Sequence, residues 1–184
     1  MIRTIVEESQ RNIAIMDVFS KLIQERIIFI DSTIDSELAN GVIAQMLYLD
    51  SLSHEEPISV YINSDGGSVY DGLAIYDTSE IIKCPIKTFC VGLAASMGAI
   101  LMLMGKERYA TKRSRLMLHQ VSGGVIGTAE EIRITNEETQ KVEKTLYDII
   151  ESKTKLTKVN KLLKNDTWFS AEEALKVGLI TDIL

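Results

Sequence analysis

Apolar positions along this 184-residue chain fall into short runs separated by helix-spaced stripes. Arg26-Ile27-Ile28-Phe29-Ile30 is the first run to read as a strand, because β-branched and aromatic side chains suit a pleated, half-buried surface. After it, Asp35, Ser36 and Glu37 supply capping oxygens and negative charge. Ile34, Leu38, Val42, Met46 and Leu49 then recur at helical spacing with Ala39, Ile43 and Leu47 beside them. This predicts an amphipathic helix laid on a sheet. Past the polar connector Leu52 to Pro57, Ile58 to Asn63 predicts a second strand. Ser64-Asp65-Gly66-Gly67-Ser68 breaks it, and Val69 to Ile82 reads as a less cleanly patterned helix that ends before Pro85. Ile86 to Val91 is the third strand. Three alternations of strand and helix imply parallel strands joined by helical crossovers, an α/β class.

The pattern then changes. Ala99 to Met104 reads as a buried helix, and Arg108-Tyr109-Ala110 and Arg115 to His119 as short strand-like pieces around a basic run, Lys112-Arg113-Ser114-Arg115, expected to be a solvated turn. Gln120 to Gly127 is a glycine-containing loop. Thr128 and Glu131 form a capping-box pattern ahead of a long charged helix reaching about Thr154. Its stripe of Ile132, Thr135, Thr139, Val142, Leu146 and Ile149 is weak and part polar, which suits contact with another subunit better than deep burial. The tail gives Lys158 to Lys164, a turn at Asn165-Asp166-Thr167, and a helix opened by Ser170 and Glu173 and closed by Gly178. Residues 1 to 20 are mixed, with Met16-Asp17-Val18-Phe19 opening a helix. No repeat or linker interrupts the chain, so one domain is expected over 1–184.

A hydrophobic content of 46%, a charged content of 25% and a net charge of -6 describe an ordinary soluble chain with no basic field to gather onto nucleic acid or a membrane surface. Cys84 and Cys90 fall within one predicted strand region, which is neither a disulfide framework nor a metal pair. The amino terminus lacks a signal-peptide pattern and no apolar run reaches membrane-spanning length, so a cytoplasmic location is expected.

Candidate chemistry centres on Gly92-Leu93-Ala94-Ala95-Ser96-Met97-Gly98-Ala99, where a strand turns into a helix. There the first amides of the helix lack intrahelical partners and carry the positive end of its dipole. Ser96 is therefore either a helix cap or a nucleophile. A nucleophilic serine needs a base, and the chain has two histidines, His54 in a polar connector and His119 at a strand end. His119 is the better placed. The Met97 amide, directly after the serine, and an amide of Gly66-Gly67 are candidate oxyanion donors. Spacing leaves the third member of a triad open among Asp31, Asp65, Asp71, Asp77, Asp148, Asp166 and Asp182. No metal-ligand spacing or phosphate loop is present, and no cofactor is expected.

These motifs together resemble the proteolytic subunit of the Clp protease. Tyr61-Ile62-Asn63-Ser64 followed by Gly66-Gly67-Ser68, the run Gly72 to Thr78, Ala94-Ala95-Ser96-Met97-Gly98-Ala99, Met117-Leu118-His119-Gln120, and Ser170 to Ala174 through Gly178-Leu179-Ile180 match in order. The resemblance implies an ATP-independent serine endopeptidase with Ser96, His119 and Asp166 as its triad and Gly67 and Met97 as oxyanion donors. It implies a crotonase-like spiral of strand-strand-helix units, residues 1–20 as an axial segment, and the 128–154 segment as a protruding handle. Two seven-membered rings would stack through the handles, and AAA+ unfoldases would feed unfolded chains to them. Substrate would pair as an added strand along Gly66, Gly67, Ser68, Val69 and Tyr70 and along Val121, Ser122, Gly123 and Val125.

The sequence departs from the family pattern at Asp65 and Val121, where prolines are usual, at Asn12-Ile13-Ala14-Ile15-Met16 in the axial gate, and at Asn165, where relatives carry an interface arginine. Ile81 replaces a docking-pocket Phe, while Tyr61 is kept. These departures raise a second reading, a weakly active or regulatory subunit in a mixed assembly with a second paralogue. A crotonase-type acyl-CoA enzyme would share the fold and the glycines but gives no reason for Ser96 and His119 to occur together.

Overall fold

The computed structural model describes residues 4–8 and 13–184. Two strands that the mixed pattern of residues 1–20 does not announce, β1 (Thr4–Glu8) and β2 (Ile13–Asp17), form an antiparallel hairpin. Asn12 of the gate segment lies outside the described residues. The expected helix start follows as α1 (Val18–Gln24), with the Asp17 side chain accepting from the Phe19 and Ser20 amides.

The main sheet takes β3 (Ile27–Ile30), β4 (Ile58–Ser64) and β5 (Ile86–Ala95), all parallel, with α2 (Ser36–Leu52) and α3 (Val69–Ile81) as the crossovers. Asp35, among the capping residues the sequence predicts, accepts from the Leu38 amide, and Ser68, which the sequence places only in the strand break, accepts from the Asp71 amide. Strand β5 runs four residues beyond its predicted end, through small residues that carry little strand signal. It leads into α4 (Met97–Met102), all six of whose residues are buried. The sheet continues through β6 (Glu107–Ala110), while β7 (Arg115–Leu118) pairs with the far half of β5. The remaining elements are α5 (Ala129–Lys153), α6 (Val159–Leu162), β8 (Thr167–Ser170), α7 (Ala171–Val177) and β9 (Asp182–Ile183). Strand β8 runs antiparallel to β7, and β9 parallel to β6. The α/β class and the long projecting helix are as expected, and both capping boxes, at Thr128 and Ser170, are formed.

One face of the sheet supplies the core through Ile28, Ile30, Val60, Ile62 and Cys90. On the other face the parallel register lines up Phe29, Tyr61, Phe89 and Tyr109 as a stack of rings, with successive centroids 5.6, 4.7 and 5.0 Å apart. Phe19 meets the end of this stack edge-on at 5.5 Å. This face is only half-buried.

The basic run is not simply a solvated turn. Lys112 and Arg113 are exposed, but Ser114 is buried and bridges the point where β5 changes partners from β6 to β7. Its Oγ donates to the Cys90 carbonyl at 2.9 Å and accepts from the Gly92 amide at 3.1 Å. Asp50, near the end of α2, plays a similar tying role. Its Oδ1 accepts from the Lys83 and Cys84 amides, each at 2.9 Å, and lies 3.1 Å from His54 Nδ1. The Cys84 amide foremost, with His54 and Lys83, holds its pKa down at about 2.

Ser114→Ala leaves the Gly92 amide of β5 without its partner at a cost of about 1–3 kcal/mol, so a thermal melt should show Tm lower by roughly 2–10 °C. For Asp50 the folded pKa lies below the unfolded one, so its ionised form stabilises the fold above about pH 4, and that stabilisation is lost as pH falls through about 2. Asp50→Ala should accordingly lower Tm at neutral pH, and melts at stepped pH should show the gap to wild type closing between about pH 4 and 2.

Candidate active site

Ser96 ends β5 and precedes α4 with φ 54° and ψ -124°, a backbone region that L-residues rarely adopt. Such strain costs about 1–3 kcal/mol. Burial of Met97, Ile100, Leu101 and Met102 behind it contributes roughly 1.5–3 kcal/mol each, so packing of α4 wins and holds the serine in place. The Ser96 amide donates to the Met117 carbonyl at 2.9 Å, which ties the corner to β7.

Ser96 does not act as a helix cap, for its side chain makes no capping bond. Instead its Oγ lies 2.8 Å from Nε2 of His119, the residue just past β7. Proton transfer from Oγ requires Nε2 to accept, with Nδ1 carrying the ring hydrogen.

Gly66 and Gly67 stand beside this pair. A β-carbon on Gly66 would lie 2.7 Å from Ser96 Cβ and 3.0 Å from the Met97 nitrogen, and one on Gly67 would lie 2.7 Å from the Ile34 nitrogen. Only glycine lets these backbones approach so closely. Ile34 bonds the Gly66 carbonyl and the Ser68 amide, each at 2.8 Å. Alternate residues of an extended segment face opposite edges, so the Gly67 amide and carbonyl face away from Ile34. Among the described residues neither the Gly67 nor the Met97 amide donates a hydrogen bond, and both flank Ser96.

Asp166 is not joined to His119 by a hydrogen bond in this structure. It is exposed, in the turn between α6 and β8. The β7–β8 register pairs Leu118 with Thr167, and continuing it by one residue sets His119 opposite Asp166. The other candidate acids have no comparable strand register to His119. His54 pairs with Asp50 on the surface, away from Ser96.

The segments expected to hold substrate differ from each other. Val69 and Tyr70 open α3, and Ser68 caps it with its own amide committed to Ile34, so ahead of the helix it is Gly67 whose backbone groups have no partner among the described residues. Val69 contributes its side chain to the pocket beside Ser96. Val121, Ser122, Gly123 and Val125 lie in a loop with no backbone bonds among the described residues, an open edge alongside His119. The pocket's inner wall comes from residues the motif reading did not assign to the site: Ile100, Leu146, Tyr147, Ile150 and Leu163. Leu146 belongs to the stripe expected to suit contact with another subunit rather than deep burial, yet it is buried, because the inner end of α5 closes on α4, which nothing local shows.

With this geometry in place, comparison with known proteins is decisive. The chain matches the Clp protease family over residues 9–184. The chain belongs to that family. It is 47% identical, over 98% of its length and 84% of the relative's, to the ATP-dependent Clp protease proteolytic subunit of Bacteroides thetaiotaomicron. It is 46% identical, over 98% and 83%, to that of Porphyromonas gingivalis, and 42% identical, over 98% and 90%, to that of Deinococcus radiodurans. The chain is a peptidase subunit of the serine type, and the reading as a regulatory subunit is not favoured. No helix among the described residues is long and apolar enough to cross a membrane.

Gly66→Ala should push its new methyl into the Ser96 corner. Overpacking of this kind costs about 1–3 kcal/mol, and Tm should fall by several degrees while fluorophosphonate labelling slows about tenfold or more, read by intact mass against time.

Proposed function

We propose that Ser96 is the nucleophile of a peptide hydrolase in which His119 is the general base and Asp166 orients it. The 2.8 Å contact between Ser96 Oγ and His119 Nε2 carries this reading. His119 takes the Oγ proton as Oγ bonds to the scissile carbonyl carbon. The amides of Gly67 and Met97 receive the negative oxygen, a contribution of roughly 10²–10³ in rate per donor in comparable sites. The imidazolium then protonates the departing amine, leaving an acyl ester on Ser96. Water attacks that ester with His119 again as base, releasing the acid and restoring Oγ–H. On substrate binding Asp166 closes on Nδ1–H, which the continued β7–β8 register supports.

Substrate runs extended between Gly67 and the open Val121 to Val125 edge, held mainly through its backbone, so that selectivity for side chains is broad. The relatives' names, ATP-dependent Clp protease proteolytic subunits, support delivery of unfolded chains by an AAA+ unfoldase. The half-buried ring stack containing Tyr61 offers an apolar face for contact outside the subunit, since parallel sheets ordinarily have both faces covered. Residues 1–184 act as one peptidase domain with 1–20 as its axial segment. The Ala129–Lys153 helix, exposed over its first three turns and buried at Leu146 and Ile150, supports handle-to-handle stacking of two seven-membered rings, pure or mixed with a second paralogue, in the cytoplasm.

A fluorophosphonate probe should label wild type and fail on Ser96→Ala, and equal labelling of both would refute the assignment. Asp166→Asn should reduce peptide turnover by about 10²–10⁴ with labelling slowed in step, whereas an unchanged rate would remove Asp166 from the mechanism. Native mass spectrometry should find fourteen chains.

A further inference from the structure

Among the described residues, Ser64, Thr88 and Ser114 are the buried polar ones. Thr88 donates to the Met102 carbonyl and Ser114 to the Cys90 carbonyl, so both tie the sheet to itself or to α4. Ser64, 3% exposed at the end of β4, sits instead where the chain turns toward Ser96. Its Oγ donates to the Ser32 carbonyl at 2.5 Å and accepts from the Gly66 amide at 3.1 Å. A hydroxyl both donates and accepts, and here both capacities are used.

What these two bonds control is the direction of a peptide plane. The peptide unit is flat and trans, so the Gly66 carbonyl and the Gly67 N–H lie in one rigid plane and point opposite ways. The Ile34 amide donates to that carbonyl at 2.8 Å, which turns the Gly67 N–H away from Ile34. The preceding plane carries the Gly66 N–H, and its anchor is Ser64 Oγ. Only the φ and ψ of Gly66 separate the two planes, with φ at 101°, and glycine torsions are the least restrained by sterics. Two soft torsions need an anchor on each side. Asp65 supplies none, for its exposed side chain makes no hydrogen bond among the described residues.

The bonds close into a network. Ser32 and Ile34 on one segment grip Ser64 and Gly66 on the other, and the Ser68 amide returns to the Ile34 carbonyl at 2.8 Å. Ile34 is itself buried in the core. An oxyanion donor must stand roughly 2.7–3.1 Å from the oxygen that gains charge, so a small rocking of the Gly67 plane removes its effect.

We propose that Ser64 is a positioning residue for the oxyanion site: its hydroxyl, bridging the Ser32 carbonyl and the Gly66 amide, aims the Gly67 N–H at the oxygen that becomes negative when Ser96 attacks. The proposal rests on Ser96 as nucleophile and Gly67 as donor, and is tested on the full chain with a short fluorogenic peptide and a peptidyl boronate of the same sequence. Ser96 Oγ gives its lone pair to boron and its proton to His119, so the tetrahedral adduct reports transition-state binding, whereas the product peptide reports ground-state binding. Ser64→Ala should lower kcat/KM about tenfold to a hundredfold and weaken the boronate by the same factor, with inhibition by the product peptide within about twofold of wild type. Ser64→Cys fills the same space with a weaker donor and acceptor. It should show the same split, and it stands in should the alanine variant fail to fold. A serine that only holds the fold together gives another result, a lower Tm with turnover and boronate affinity within about twofold of wild type. That result, or a loss of affinity shared equally by the product peptide, would overturn the proposal alone. A wild type that cleaves the peptide no faster than Ser96→Ala would overturn the nucleophile reading with it.

Discussion

Two stretches of backbone, Gly66-Gly67 and Ala95-Ser96-Met97, meet at a distance that excludes a β-carbon, and the site depends on that approach. It brings unpaired amides from two elements to one side of a hydroxyl. The serine's left-handed φ is the local cost, of about 1–3 kcal/mol. It is sustained because α4 is buried along its whole length, so relaxing the serine would pull a core helix out of register. Parallel pairing of Ile34 with Gly67 braces the opposite side.

The elements around this corner divide the labour. Strands β5 and β7 lead into Ser96 and His119, the proposed nucleophile and base, while α4 and the inner end of α5 wall the pocket beside them. The outer turns of α5, with Ile132 and Ile134 exposed, contribute nothing to the subunit's own core. The half-buried ring stack stands on a different face of the sheet. In the proposed function, chemistry and assembly thus fall on separate surfaces of one small fold, and α5 reaches both.

Much of this was legible in the residues. The β-branched runs of β3, β4 and β5, the stripe of α2 and the capping boxes at Thr128 and Ser170 are local signals, and local physics sufficed to read them. Ser96 and His119 could be matched because a nucleophile needs a base and the chain has only two histidines. What could not be read depends on contacts between distant segments. The end of β5, Gly92-Leu93-Ala94-Ala95, carries little strand signal of its own and pairs with β7. Ser114 hides in a charged run because its bonds reach back to Cys90 and Gly92. The place of Asp166 follows from a strand register, and Tyr147 from a helix closing on α4.

Ser96 and His119 are carried by adjacent strands, and the Ser96 amide is bonded directly to the Met117 carbonyl. The backbones that carry the 2.8 Å contact between Ser96 Oγ and His119 Nε2 are therefore held at inter-strand spacing, about 4.8 Å in any sheet. Side chains lining the pocket can drift over evolutionary time without stretching that spacing. Substrate taste and bond-breaking power are consequently free to evolve at different rates in this chain.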